Sequence, residues 1–218
     1  MTVTALPDVE FEHPVEWKDL LVATADRVRF VYVPYRRYLA IEGETRPGSP
    51  EFQAAIGTLF PVAYTLHFAL KGRGVNAPVG MLEGVFWLDQ PQPIPLSAFE
   101  HEDASRPMRW RLLIAVPEEA TDEEVQLAIA EVSHRASAPA EALARLRVKC
   151  WLEGESAQIL HVGPYDAEYP TEVRLHEALA RAGLRPRGCH HEIYLSSPSA
   201  PPERTRTLIR QPVEEIAW

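Results

Sequence analysis

Twice along this chain the residue pattern runs strand, helix, strand, strand, and that repeat limits the fold more than any other feature. In the first pass, Arg29 to Ile41 alternates and is rich in β-branched and aromatic residues, so it reads as a strand. Ser49-Pro50-Glu51 is a helix start, with Ser49 as the cap and Pro50 in the first turn. Phe52, Ile56, Leu59, Ala63, Leu66 and Leu70 follow at helical spacing, and Gly72 and Gly74 stop the run. Pro61 lies inside it and predicts a kink or a division into two helices. Pro78 to Leu88 and Met108 to Val116 read as strands. The proline-rich stretch Gln90 to Pro107 between them reads as an ordered, irregular loop.

The second pass has Lys149 to Val162 as a strand or a hairpin turning near Gly154. A helix follows over Thr171 to Ala182, with Leu175, Leu179 and Ala182 inward and Gly183 at its end. Cys189 to Leu195 and Arg206 to Val213 are the last two strands. Short matches support the repeat: Glu83-Gly84-Val85-Phe86-Trp87 answers Glu192-Ile193-Tyr194, and Arg109 to Ile114 answers Arg204 to Ile209. A capping box, Thr121-Asp122-Glu123-Glu124, opens a connecting helix near 121–135, with Val125, Ala128, Ile129 and Val132 on one face. The expected fold is α+β, a duplicated strand–helix–strand–strand module with mainly antiparallel sheets. The modules fall at about 29–117 and 146–213 of a single domain, 29–213. Residues 1–28 are expected to be a leader packing on the body through Val15, Trp17, Leu20 and Leu21.

Composition narrows the function. At 218 residues the chain is long enough to bury a substantial core. A net charge of -9 argues against nucleic acid as a partner, since phosphate binding needs clustered Lys and Arg. No apolar run approaches the roughly 20 residues that span a bilayer, so no membrane partner is expected. The acidic N-terminus lacks the order of a signal peptide and carries no helix-turn-helix pattern, which reads as cytoplasmic and not a transcription regulator, unless the DNA-binding part is a separate chain. Cys150 and Cys189 are compatible with a disulfide, but a chain of this size does not need one, and without a CxxC pair a thiolate zinc site has no support. A monomer or weak homodimer is expected.

His190-His191-Glu192-Ile193-Tyr194-Leu195 is the functionally informative segment, because it sets a carboxylate in an otherwise buried strand. Alternation puts Glu192 and Tyr194 on one face and Ile193 on the other. In the partner strand Glu83, Val85 and Trp87 fall together, with Leu82 and Phe86 opposite. Carboxylates among aromatic rings suit a planar or cationic small molecule. For Glu83 the alternative is simple pairing with Arg109 or Arg111. Tyr64 lies on the long helix, where its hydroxyl has either a ligand or Glu192 in reach or only a core role; Trp110 and Tyr165 stand open in the same way. Trp17, Trp151 and Trp218 read as packing or surface residues. As metal ligands, with His161 as a candidate extra one, His190 and Glu192 share a face but His191 points away; two ligands from this segment fall short of the usual three or four, so no metal and no other cofactor is expected. Cys189 and His190 are strand neighbours that point apart, which excludes a nucleophile–base pair.

From about Trp17 to Val213 the chain resembles the GyrI-like small-molecule-binding family in its long, stand-alone form. The specific matches are His161-Val162-Gly163-Pro164-Tyr165, His190 to Leu195 and Leu208 to Val213, with Tyr64-Thr65-Leu66, Leu82-Glu83-Gly84 and Trp110 in the first half. Pro61 and Phe86 depart from the family pattern. The resemblance implies a pseudo-symmetric pair of modules and a ligand groove between the halves that holds flat, aromatic or cationic compounds, with a glutamate at the position of Glu192 near its centre. It further implies, from some stand-alone members, hydrolysis of cyclopropanoid xenobiotics inside an aromatic cage. On that reading Glu192 is the acid/base or water-positioning group and Tyr64 acts with it. Glu83, Trp87, Trp110, Tyr165 and Tyr194 contact the ligand. The alternatives are a protein that binds, sequesters or senses such compounds without chemistry, and a protein-interaction inhibitor.

Overall fold

The structure is a computed structural model that describes residues 9–100, 108–197 and 199–216, the side chain of Glu100 excepted. Residues 1–8, Pro107 with the end of its loop, and Trp218 lie outside the described residues. In chain order the elements are β1 (Arg29–Val33), β2 (Arg36–Gly43), α1 (Pro50–Gly72), β3 (Leu82–Trp87), α2 (Ser97–Glu100), β4 (Arg109–Ala115), α3 (Asp122–His134) and α4 (Ala140–Arg145). Then come β5 (Arg147–Trp151), β6 (Gly154–Val162), α5 (Tyr169–Arg181), β7 (Leu184–Pro186), β8 (His190–Tyr194) and β9 (Arg206–Glu215). Short 3₁₀ turns occupy Trp17–Leu21, Tyr165–Ala167 and Pro202–Arg204. The fold is α+β, and the registered pairs β1–β6, β2–β4, β2–β5, β6–β9, β7–β9 and β8–β9 are all antiparallel.

Both helix-start signals act as their chemistry dictates. Ser49 Oγ accepts from Phe52 N at 3.2 Å, and Thr121 and Glu124 complete a reciprocal capping box. Three expectations are corrected. The run Arg29 to Ile41 is two strands, because Pro34 has no N–H to give a ladder and ends the first. The stretch Lys149 to Val162 is not a hairpin: β5 pairs with β2, while β6 pairs with β1 and β9. Pro61 does not divide the long helix, which runs unbroken from Pro50 to Gly72. Burial of Phe52, Leu59, Val62, Leu66 and Leu70 along it, at about 1.5–3 kcal/mol per large side chain, outweighs the roughly 3 kcal/mol cost of an internal proline.

The chain divides into two compact units that interleave along the sequence. Unit 1 comprises Met1–Pro34, Phe86–Arg106 and Leu152–Trp218; unit 2 comprises Tyr35–Val85 and Pro107–Trp151. In unit 2, β2 lies between β4 and β5, and α1 packs on β2 and β4 with α3 and α4 against it. Trp110 is fully enclosed here, edge-on to Phe52 at 5.1 Å, with its indole N–H donating to Thr45 O at 2.8 Å. Its ring lies over Gly43, its register partner, where a Cβ would stand 2.2 Å from Trp110 Cζ2.

In unit 1 the strand order is β1-β6-β9-β8, with β7 on β9. Its two faces differ in chemistry. On one, α5 packs through Leu175 and Leu179 onto Ala157, Ile159, Leu184, Ile209 and Val213. On the other, Glu153, His191, Arg210 and Gln158 form a buried polar network: His191 Nδ1 lies 2.8 Å from Glu153 Oε1, Arg210 Nη1 3.1 Å from Glu153 Oε2, and Arg210 Nε donates to Gln158 Oε1 at 3.0 Å. The leader closes this face. Leu20 is buried with Val31 and Val33 against Trp17, and its carbonyl accepts from Gln158 and Arg210. Leu21 is half-buried, but Val15 is 97% exposed and takes no part. Among the described residues no helix is long and apolar enough to cross a membrane, and Cys150 and Cys189 form no disulfide.

Candidate functional site

The face of β8 that carries Glu192 is the α5 face, because Glu192 is in register with Ile209 of the α5-packed core. Alternation gives that face His190, Glu192 and Tyr194, and sends His191 to the polar network opposite. His190 Nε2 lies 3.2 Å from Glu192 Oε1, and Tyr194 shares this face with Glu192. Tyr165 stands edge-on to Tyr194 with ring centroids 5.7 Å apart. Phe99 packs edge-on to His190 at 5.1 Å, and Phe86 tilts against it at 6.3 Å.

Over these residues the start of α5 delivers two more carboxylates. Glu168 and Glu172 are four residues apart on one side of the helix start and are both buried. Glu172 Oε1 lies 3.6 Å from His190 Nδ1, so the imidazole has a carboxylate at each nitrogen. The turn that sets up α5 is held by the His161-Val162-Gly163-Pro164-Tyr165 motif. His161 Nε2–H donates to Pro164 O at 3.0 Å, which leaves Nδ1 to accept from the Thr171 hydroxyl at 3.1 Å. Gly163 supplies the φ of 140° that the turn requires.

This is an acidic, partly apolar cluster. Burial, then the charges of Glu192 and Glu172, holds the Glu168 carboxyl well above the ordinary carboxylate range. Burial also raises Glu172, opposed by His190 and reinforced by Glu192. Burial works against a charged His190, but Glu172 and Glu192 outweigh it and hold its pKa above the ordinary imidazole value. Burial and then Glu192 raise both Tyr165 and Tyr194, so each stays a hydroxyl donor at neutral pH. Glu192 is the most exposed of the three acids, with 15% of its side chain exposed against 1% for Glu172.

The raised acids carry a stability cost with a definite sign. A carboxyl whose folded pKa is raised holds its proton longer in the native state, so its contribution is complete below the unfolded value near 4.5 and is lost as pH rises through the folded value. Glu168→Gln should leave the urea midpoint unchanged at pH 4 and raise it at pH 8.

Of the residues expected at the site, unit 1 brings together Glu192, Tyr194 and Tyr165. Trp87, at the end of β3, is buried in the same unit. Glu83, Tyr64 and Trp110 belong to unit 2. Glu83 is buried; Tyr64 is 49% exposed and stacks on Phe68; Trp110 fills the core as described above. Arg109 pairs with Glu44 and Arg111 with Glu42. Sequence reasoning missed Glu168, Glu172 and Phe99. The available signal was the i, i+4 pair of acids at the start of a helix, which otherwise reads as ordinary dipole complementarity.

Comparison with known proteins fits this chemistry. Residues 114–214 match the family model described as the GyrI-like small molecule binding domain. No curated protein matches the chain. Among solved structures, an uncharacterized conserved protein from Listeria innocua is similar at 27% identity and a TM-score of 0.77, covering 90% of this chain and 97% of its own. A hydrolase from Listeria innocua is similar at 26% identity and a TM-score of 0.72, over 90% of this chain and 96% of its own. A further hydrolase structure from the same organism, also at 26% identity, has a TM-score of 0.75 and covers 94% of this chain and all of its own.

Proposed function

Because the chain resembles the GyrI-like small-molecule-binding family, we propose that it binds a flat, aromatic and preferably cationic small molecule against Glu192 and hydrolyses cyclopropanoid members of that class. The observation that carries this reading is the placement of Glu192. It is the most exposed member of a three-carboxylate cluster on the face that also carries Tyr194, with Tyr165 edge-on to that ring. Glu168 and Glu172 behind it deepen the negative potential that draws a cation in, and the rings stack on it. The hydrolases of similar fold support the catalytic part.

For a spirocyclopropyl dienone the chemistry is short. A Tyr165 hydroxyl, kept protonated, donates to the dienone oxygen. Glu192 takes a proton from a water whose oxygen bonds to the cyclopropyl methylene carbon. The ring C–C bond breaks, its electron pair aromatises the dienone, and the resulting phenolate takes up a proton. The sum is substrate plus one water.

The test is incubation with a spirocyclopropyl compound followed by mass spectrometry. Wild type should yield a product heavier by one water, and Glu192→Gln should slow this about 100-fold. Glu192→Gln should also weaken binding of a rhodamine cation about tenfold, read by fluorescence anisotropy. Turnover of Glu192→Gln at the wild-type rate would sink the catalytic role. A second reading, binding without chemistry, is favoured by one observation: Glu192 is already engaged by His190, 3.2 Å away. Under that reading the dye binds, the compound is returned unchanged, and Glu192→Gln affects affinity alone.

A further inference from the structure

We propose that Glu168, His190 and Glu192 form a binding site for a first-row divalent metal ion, with Glu172 holding the imidazole from behind. The strand alone offers two ligands, which is why the sequence argued against a metal. The start of α5 supplies the third. One ligand atom from each of the three residues lies within 4.8 Å of the other two, and His190 Nε2 and Glu192 Oε1 are already 3.2 Å apart. Ligand atoms of a tetrahedral site with bonds of about 2.1 Å stand roughly 3.4 Å apart, so a movement of about an ångström by the Glu168 carboxylate closes the set.

Two independent observations point to a ligand there. Glu168 is 93% buried, only 7% of it being exposed, yet its Oε1 has no hydrogen-bond partner. A buried carboxylate oxygen without a partner is costly, and a cation removes the cost. Behind the imidazole, His190 Nδ1 faces Glu172 Oε1 at 3.6 Å, and neither atom has a hydrogen-bond partner. A carboxylate on the far nitrogen is the usual support of a metal-ligating histidine, since it fixes the tautomer and raises ligand basicity.

The donors name the ion. One imidazole and two carboxylates suit Mn²⁺, Fe²⁺ or Zn²⁺, and the two ligating negative charges balance two positive ones. Three protein ligands leave positions open on the Glu192 side, which solvent reaches. The site does not depend on whether an organic cation or a cyclopropanoid binds nearby.

The test uses tag-free protein dialysed against a chelator and titrated with Mn²⁺, following the loss of the free-ion electron paramagnetic resonance signal. Mn²⁺ is chosen because the exposed Cys150 thiol competes for softer ions; a parallel titration with Zn²⁺ is read as a thermal shift. One Mn²⁺ per chain should bind, Glu168→Gln and His190→Gln should abolish binding, and Glu172→Gln should weaken it about 10–100-fold. Glu168→Gln removes a buried like charge and keeps the fold, which far-UV circular dichroism checks. Failure of both ions to bind at one per chain overturns the proposal. So does one-per-chain binding that persists in Glu168→Gln.

Discussion

Arg210→Met should destabilise the protein by about 3–5 kcal/mol at pH 7, measured as the shift in urea unfolding, although Met matches much of the lost volume. The reason is what remains. Arg210 Nη1 pairs with Glu153 Oε2 at 3.1 Å, and Arg210, Glu153 and His191 are all buried. Without the guanidinium, Glu153 keeps only His191 at 2.8 Å, and the Leu20 and Gln158 oxygens each lose a donor. The effect depends on pH in a set direction. Burial pushes the Glu153 carboxyl up, but His191 and Arg210 together more than offset it, and its pKa lies below the ordinary 4.5. A depressed carboxyl stabilises the native state above the unfolded pKa, and that stability is lost as pH falls through the folded value. The gap between wild type and Arg210→Met should therefore be widest at pH 7 and narrow toward pH 4, where a protonated Glu153 no longer lacks a counter-charge. A gap that stays constant across this range would mean the loss is packing alone.

Trp110→Ala should cost about as much, roughly 3–5 kcal/mol, for a different reason. The indole is fully buried, edge-on to Phe52, and covers Gly43, whose missing side chain makes the space it occupies. Truncation opens a cavity between β2 and β4 and leaves Thr45 O without its donor. Trp110→Phe should recover part of the packing but not the hydrogen bond. A thermal melt checks both, and a Trp110→Ala protein that melts like wild type would restore Trp110 as a candidate ligand contact.

How far the fold could be read depended on whether the signal was local. Ser49 and Thr121 announce their helices because a cap is satisfied within three residues, and the division of β8 into two faces follows from strand geometry alone. Pro34 was as visible as Pro61, yet the two acted in opposite ways. A strand loses a ladder bond at proline with nothing local to replace it, whereas α1 is held by apolar residues on both sides of the break. β7, three residues long, is too short to show any period. At the site, Glu192 stood out because an acid is unexpected in a buried strand. Glu168 and Glu172 did not, because acids belong at helix starts; only the packing of α5 over β8 residues, set by distant sequence, turns them into buried charges.

The two-sidedness of β8 has a consequence for how the site is kept. Moving the strand by a single residue against β9 would exchange its faces, sending His191 among the aromatic rings and Glu192 into the far side. The pairing of His191 and Arg210 with Glu153 opposes that slip, since it would take His191 away from Glu153 and bury a second carboxylate on that face. The far face thus works as a keyway: it touches no ligand, yet it indexes which side chains a ligand can meet. Substitutions there should be able to scramble recognition without altering any residue that does the recognising.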